Sequence, residues 1–255
     1  MPASPPSKPA RPLLEFIDAD VASESPPNRI ILEQVNWAVH TDDFWCIGGL
    51  QRSGKTALIH VASGLVPPTR GKRLLFGEEE LPGDHAARLQ VGMVFDGGQL
   101  FHDLTVEENL ALPIRYHRNL LAIEARAFTE PILELLELTH LRHDLPGRLG
   151  RNWQQRVGLA RALMLHPPLL LLDNPLSGLD PRDTAWWLAF LTQLSQGHPA
   201  LQNKPITLIA TGDRLRTWKG TAHQFAILKN KRFQVLTHPP SQGTTDEELL
   251  AGLNV

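Results

Sequence analysis

The sequence predicts an α/β fold built on a mainly parallel sheet. Short apolar segments typical of buried strands alternate along the chain with longer amphipathic segments typical of helices. The chain has 255 residues, of which 42% are hydrophobic and 20% charged, so it can bury a sizeable core. No internal repeat is visible.

The elements can be placed in order along the chain. Strands are predicted at residues 44–47, 91–95, 169–172, 206–210 and 225–228, and the last is expected to form a hairpin with 233–236 across Asn230. Helices are predicted at 107–117, 122–138, 153–165 and 182–194, with a short capped helix at 246–250. No strand signal occurs between about 105 and 150, so this stretch is predicted to be a helical insertion in the α/β core.

Composition excludes several classes of protein. The chain carries 25 Lys+Arg against 27 Asp+Glu, a net charge of 25 − 27 = −2, so no basic field suggests a nucleic-acid partner. Its one cysteine, Cys46, cannot form an internal disulfide and is expected in the core. No apolar stretch reaches the roughly 18 residues of a membrane span, and residues 1–12 are predicted to be a flexible Pro-rich tail rather than a secretory signal. The protein is therefore expected inside the cell.

A phosphate-binding loop follows the first predicted parallel strand. The pattern GxxxxGK[ST] is matched by Gly49, Leu50, Gln51, Arg52, Ser53, Gly54, Lys55 and Thr56, and the residues after it are helix-compatible. Glycines let the backbone N–H groups approach an anion, and the helix offers its positive N-terminal end. Lys55 would then reach the β- and γ-phosphates, and the Thr56 hydroxyl would ligate Mg²⁺. Asp173, which ends the predicted strand 169–172, fits the carboxylate that completes such a magnesium site.

Together these residues make the chain resemble the ATP-binding cassette (ABC) ATPase subunits of membrane transporters, over about residues 13–240. The resemblance also rests on the segments 64–71, 104–110 and 155–163, and on Ser177, Gly178, Leu179 and Asp180, which match the family's D-loop. Within the family, segments 92–95 and 109–115 look most like the subunits that energise phospholipid transport (Mla-type).

The resemblance implies a fold, partners and a location. The expected domain has an N-terminal antiparallel β part, a helical subdomain at about 105–150 and a C-terminal extension at 241–255. Two ABC subunits, identical or different, would bind ATP and Mg²⁺ between the P-loop of one and the signature motif of the other. An integral membrane permease subunit would hold the dimer at the cytoplasmic face of the inner (plasma) membrane.

The catalytic positions that the resemblance implies depart from the family pattern. Asn174 stands where the family has the glutamate that activates water, and an amide cannot accept that proton. Gly212 stands at the switch histidine, and the signature LSGGQ falls on Leu149, Gly150, Arg151, Asn152 and Trp153.

Three further departures surround the nucleotide. Asp96 replaces the usual glutamine, although a carboxylate could still ligate a hard cation. Arg52 replaces a frequent glycine of the P-loop, and the segment between Phe16 and Trp37 lacks the aromatic residue that the family offers to adenine. Arg52 and Arg151 would either strengthen anion binding while blocking turnover or be drifted surface residues.

The first hypothesis is therefore an ABC subunit that binds MgATP but hydrolyses it very slowly or not at all, with a structural or regulatory role. The second is an active ATPase in which Asp96, Asp180 or Asp213 orients the water. The third is an ABC-like scaffold without a permease, which the family-like pattern of segment 96–115 disfavours because the permease docks there in the family.

Overall fold

The computed structural model describes residues 11–23, 29–79 and 87–238. Within these ranges the chain forms two sheets and five α-helices. The C-terminal extension, with its predicted helix at 246–250, and all of the N-terminal tail except residues 11 and 12 lie outside the described residues.

The first sheet is antiparallel and comes mostly from the N-terminal part of the chain. Its strands are β1 (Leu14–Ala22), β2 (Ile30–Val39), β4 (Arg70–Leu75) and β5 (Glu78–Glu79), in the order β2-β1-β4-β5. Buried and more exposed residues alternate along β1 and β2, as expected for strands with one face on the core. The expected N-terminal antiparallel part is confirmed.

The second sheet is the mainly parallel sheet that the sequence predicts. It contains β3 (Phe44–Gly49), β6 (Val91–Val94), β7 (Leu169–Leu172), β8 (Thr207–Gly212), β9 (Gln224–Lys229) and β10 (Arg232–Val235), in the order β10-β9-β3-β8-β7-β6. Only the edge strand β10 is antiparallel, and it pairs with β9 in the predicted hairpin. Every residue of β3, β7 and β8 is buried, as is typical of strands covered on both faces. Their carboxyl ends therefore meet at one edge.

The five helices are α1 (Lys55–Ser63), α2 (Val106–Arg118), α3 (Ala122–Leu135), α4 (Arg151–Leu163) and α5 (Pro181–Gln196). One hydrophobic cluster packs α2, α3, α4 and α5 on the parallel sheet, and a second packs α1 and the antiparallel sheet on it. Cys46 is fully buried in the first cluster, as predicted. No helix in the described ranges is long and apolar enough to cross a membrane.

Most helix boundaries differ from prediction by one to three residues, and two of the differences have a clear cause. Helix α3 ends at Leu135, three residues early, because Glu137 adopts a left-handed conformation (φ 60°) and the Leu138 N–H bonds back to the Leu133 carbonyl. Helix α4 begins at Arg151, two residues earlier than predicted, because the extended Gly150 serves as its N-cap.

Candidate functional site

The P-loop joins the carboxyl end of β3 to the start of α1. Gly49 ends the strand at a close approach, since a Cβ there would lie 2.3 Å from Ser53 Oγ and 3.1 Å from the Leu228 carbonyl oxygen. Gly54 is the N-cap of α1 and has φ 103°, a conformation that favours glycine. Arg52 also has positive φ, 63°, which explains why a glycine is frequent at its position in the family pattern.

The Lys55 side chain lies folded into this loop. Its ammonium donates to the Gly49 carbonyl at 2.7 Å and the Leu50 carbonyl at 3.0 Å, and it forms an ion pair with Asp213 at 3.0 Å. An ammonium has three N–H groups, so these three acceptors can satisfy all of them. Because the side chain is only 9% exposed, these partners rather than water stabilise the positive charge.

The loop fits a phosphate group. Ser53 Oγ is buried within it and bonds to no other described residue. This hydroxyl could therefore bond to a phosphate held in the loop. The buried Lys55 supplies a positive charge, and α1 directs its N-terminus at the same place. Thr56, the second residue of α1, is exposed.

Asp173 follows β7 and is held by the neighbouring strand. Its carboxylate, 3% exposed, accepts a hydrogen bond of 2.9 Å from the Thr211 hydroxyl on β8. The same hydroxyl accepts the backbone N–H of Asn174 at 2.9 Å. Thr211 therefore fixes both the predicted metal ligand and the residue after it.

Asp96, the second carboxylate predicted to bind metal, is paired with an arginine. The Arg151 guanidinium donates to its carboxylate through Nη2 and to the Ser177 carbonyl through Nε at 2.8 Å. Burial raises the pKa of Asp96 above its ordinary value, and the nearby charges of Asp173 and Asp213 raise it further, while Arg151 opposes both effects.

The last two residues of the predicted signature segment are held within the chain. Asn152 donates to Asp183 at 2.7 Å and accepts from the Trp187 indole at 3.1 Å, so it joins α4 to α5. The half-buried Trp153 packs edge-on against His140, with the Arg156 guanidinium 4.7 Å from its ring centre.

The other two residues of that segment precede Arg151. Leu149 is buried at the end of a short 3-10 turn, and Gly150 has open space where a side chain would stand.

The segment predicted as the D-loop leads into α5. Asp180 is the N-cap of that helix and accepts the Asp183 N–H at 2.8 Å, a role that a capping aspartate performs in many helices. Gly178 has φ 71°, and Leu179 packs partly buried against the core.

Gly212 ends β8 beneath a buried tryptophan. A Cβ added there would lie 2.9 Å from Trp218 Nε1, so the indole occupies the space that a side chain at this position would need. Both residues border a cavity of about 580 Å³ that also touches Asn174, Ser177 and Asp213.

A second cavity, of about 470 Å³, lies beside the P-loop. Ser23, Ile31 and Arg52 line it together with the first residues of α1, and no aromatic side chain is among its described lining residues. Phe16 and Trp37 stack on each other in the core, with ring centres 5.8 Å apart. Because Phe16 and Trp37 are both buried in the core, neither offers an aromatic face to this cavity.

The parallel sheet and this loop define a P-loop nucleotide-binding domain. The ABC transporter family matches residues 32–177, more than half of the chain, and the chain belongs to this family.

Individual relatives and one solved structure are also ATP-binding subunits or cassettes of transport systems. The methionine import ATP-binding protein MetN of Protochlamydia amoebophila is 31% identical over 87% of this chain, which spans 66% of that protein. The lipopolysaccharide export system ATP-binding protein LptB of Haemophilus influenzae is 25% identical over 92% of this chain and 95% of its own length. A bacterial ABC transporter cassette solved as a dimer superposes with a TM-score of 0.75 at 23% identity, covering 88% of this chain and 99% of the other.

Several contacts at the site join residues that are far apart in the sequence. The roles of Thr211 and Trp218, the ion pair of Lys55 with Asp213, and the pairing of Asp96 with Arg151 appear only in the fold. For Asp96 and Arg151 the sequence contained one indication, because both positions depart from the family pattern and carry opposite charges.

Proposed function

We propose that the chain is the nucleotide-binding subunit of a membrane transport complex, in which it binds MgATP and hydrolyses it very slowly or not at all. Its role would be structural or regulatory, since a ligand that prefers one conformation shifts the population toward it. The phosphates would lie in the loop Gly49–Thr56. When bound, Mg²⁺ would neutralise phosphate charge, and the Thr56 hydroxyl and the Asp173 carboxylate are the groups suited to hold it.

The placement of Trp218 against Gly212 carries the proposal of lost turnover. No side chain can extend from position 212 toward a phosphate without moving a buried indole. Asn174 adds a second deficit, because its amide cannot take a proton from water. Losing a general base costs about 10²–10⁴ in rate, and losing a phosphate donor about 10²–10³, although the two losses do not multiply.

The alternative of an active ATPase requires a carboxylate to replace the missing base. In the fold the three candidates have other partners: Asp96 pairs with Arg151, Asp213 pairs with Lys55, and Asp180 caps a helix. These contacts favour the inactive hypothesis.

An apolar groove supports docking to an integral membrane permease subunit. It has a volume of about 520 Å³ and lies between β6, α2 and α4. Phe101 and Tyr116 at this groove are 59% and 84% exposed, which is unusual for large aromatic side chains. This groove favours a transport subunit over the scaffold alternative, and it would place the chain at the cytoplasmic face of the membrane.

The transported substrate would be (phospho)lipid related. The supporting observation is that LptB, whose name assigns it to lipopolysaccharide export, aligns over nearly the whole of both chains. A dimer with itself or with a second cassette would complete the assembly, as in the dimeric cassette of the same fold.

Calorimetric titration with MgATP tests the proposal, with Lys55→Ala as the control that loses the buried charge. Saturable binding by the wild type without sustained heat supports it. Sustained heat that Lys55→Ala abolishes would establish an active ATPase, and Asp96→Asn would then show whether that carboxylate replaces the base. Absence of binding would leave only a scaffold role.

A further inference from the structure

Asp96 and Arg151, two separate departures from the family pattern, are bonded to each other in the fold. The Arg151 guanidinium donates to the Asp96 carboxylate and, through Nε, to the Ser177 carbonyl at 2.8 Å. Asp96 lies just after β6, Ser177 lies in the loop after β7, and Arg151 is the first residue of α4. One side chain therefore joins three segments that are distant from one another in the sequence.

The fold leaves room for this arginine. Gly97 and Gly178, each next to one of its two partners, have φ of 70° and 71°, conformations that side chains disfavour. A Cβ at Gly178 would lie 3.2 Å from Arg151 Cδ, and one at Gly97 would lie 3.6 Å from Nη1. The guanidinium thus packs against two stretches of bare backbone.

The ion pair stabilises the charges of both partners. Asp96 lies near the carboxylates of Asp173 and Asp213, which disfavour its negative charge, and the arginine offsets them. Arg151 gains a charge-assisted hydrogen bond that a neutral partner would not provide.

We propose that Asp96 and Arg151 form an intrachain latch that holds the first turn of α4 on the loops after β6 and β7. With the latch closed, these three segments open and close together, so a change at any one of them is transmitted to the other two. The latch goes beyond the proposed function, which can fail without affecting it.

Hydrogen–deuterium exchange of the full chain without nucleotide tests the latch. Arg151→Gln and Asp96→Asn are each expected to raise exchange about three- to tenfold in all three segments 95–99, 150–154 and 176–179. The double variant should raise it no further than Arg151→Gln alone, because that change already removes the bond to Asp96 together with the bond to Ser177.

Arg70→Gln is the matched control, since it breaks the ion pair of Arg70 with Asp18 on the antiparallel sheet and should leave the three segments unchanged. Effects confined to the mutated segment would overturn the proposal. So would a double variant whose increase equals the product of the two single increases. If Arg151→Gln does not fold, Arg151→Lys serves, because a lysine keeps the charge but lacks the planar fork that bonds both partners.

Discussion

Replacing Asp213 with asparagine is expected to strengthen nucleotide binding. In the fold, the three N–H groups of the Lys55 ammonium have three acceptors: the carbonyls of Gly49 and Leu50 and the Asp213 carboxylate. A phosphate that bonds to Lys55 must displace at least one of these acceptors. Asp213 is the negatively charged one, so it competes with the phosphate for the positive charge of the ammonium. Asparagine keeps the size of the side chain and removes that competition.

The magnitude follows from exposure. Asp213 is 48% exposed, so water and salt screen its charge. Lys55 is only 9% exposed, so solvent screens the charge of the lysine much less. Exposed ion pairs are worth about 0.2–1 kcal/mol, and the buried lysine places this pair toward the upper end of that range. About 1 kcal/mol corresponds to roughly a fivefold lower Kd for MgATP.

Calorimetric titration of the wild type and Asp213→Asn measures the difference. Asp103→Asn, which makes the same charge change at an exposed residue of another turn, is the matched control and should leave the affinity unchanged. The gain should shrink at high salt, because screening already weakens the pair in the wild type. An unchanged or weaker affinity in Asp213→Asn would refute the competition, and an equal gain in Asp103→Asn would assign it to net charge.

Three other substitutions have expected outcomes. Gly212→His should lower the free energy of unfolding by about 1–3 kcal/mol, because its Cβ meets the buried Trp218, and Trp218→Phe in the same chain should recover part of the loss in urea titrations. Asn174→Glu should cost about 0.5–1 kcal/mol, since φ is 48° there and asparagine tolerates it better, and phosphate release should stay at background. Burial, with the charges of Arg118 and Lys204, lowers the pKa of His166 below 6.5, so its stabilising effect is present above that pH and is lost as the pH falls through the lowered value. His166→Asn, which suits φ 52°, should therefore show a smaller loss of urea midpoint between about pH 7.5 and 5 than the wild type, and equal losses would contradict the assignment.

Sequence predicted the elements whose signals are local. The strand before the P-loop, the helix after it and Asp173 at the end of an apolar strand all follow from patterns a few residues long. The ion pair of Lys55 could not be predicted in this way, because Asp213 directly follows β8, which only the sheet order brings beside β3. At the end of α3 a distant residue is also involved, since Glu137, beyond the helix, accepts a hydrogen bond from Arg156 on α4.

The departures from the family pattern are integrated into the fold rather than scattered over it. The backbone N–H of Asn174 bonds to Thr211, which also holds Asp173, so the proposed metal ligand keeps a fixed position beside Asn174. Trp218 fills the space left at Gly212. A buried carboxylate without partners would be costly, and a void beside Gly212 would forfeit packing, so these contacts preserve the shape of the proposed phosphate site. Such a site suits a subunit whose contribution is to bind and hold a nucleotide.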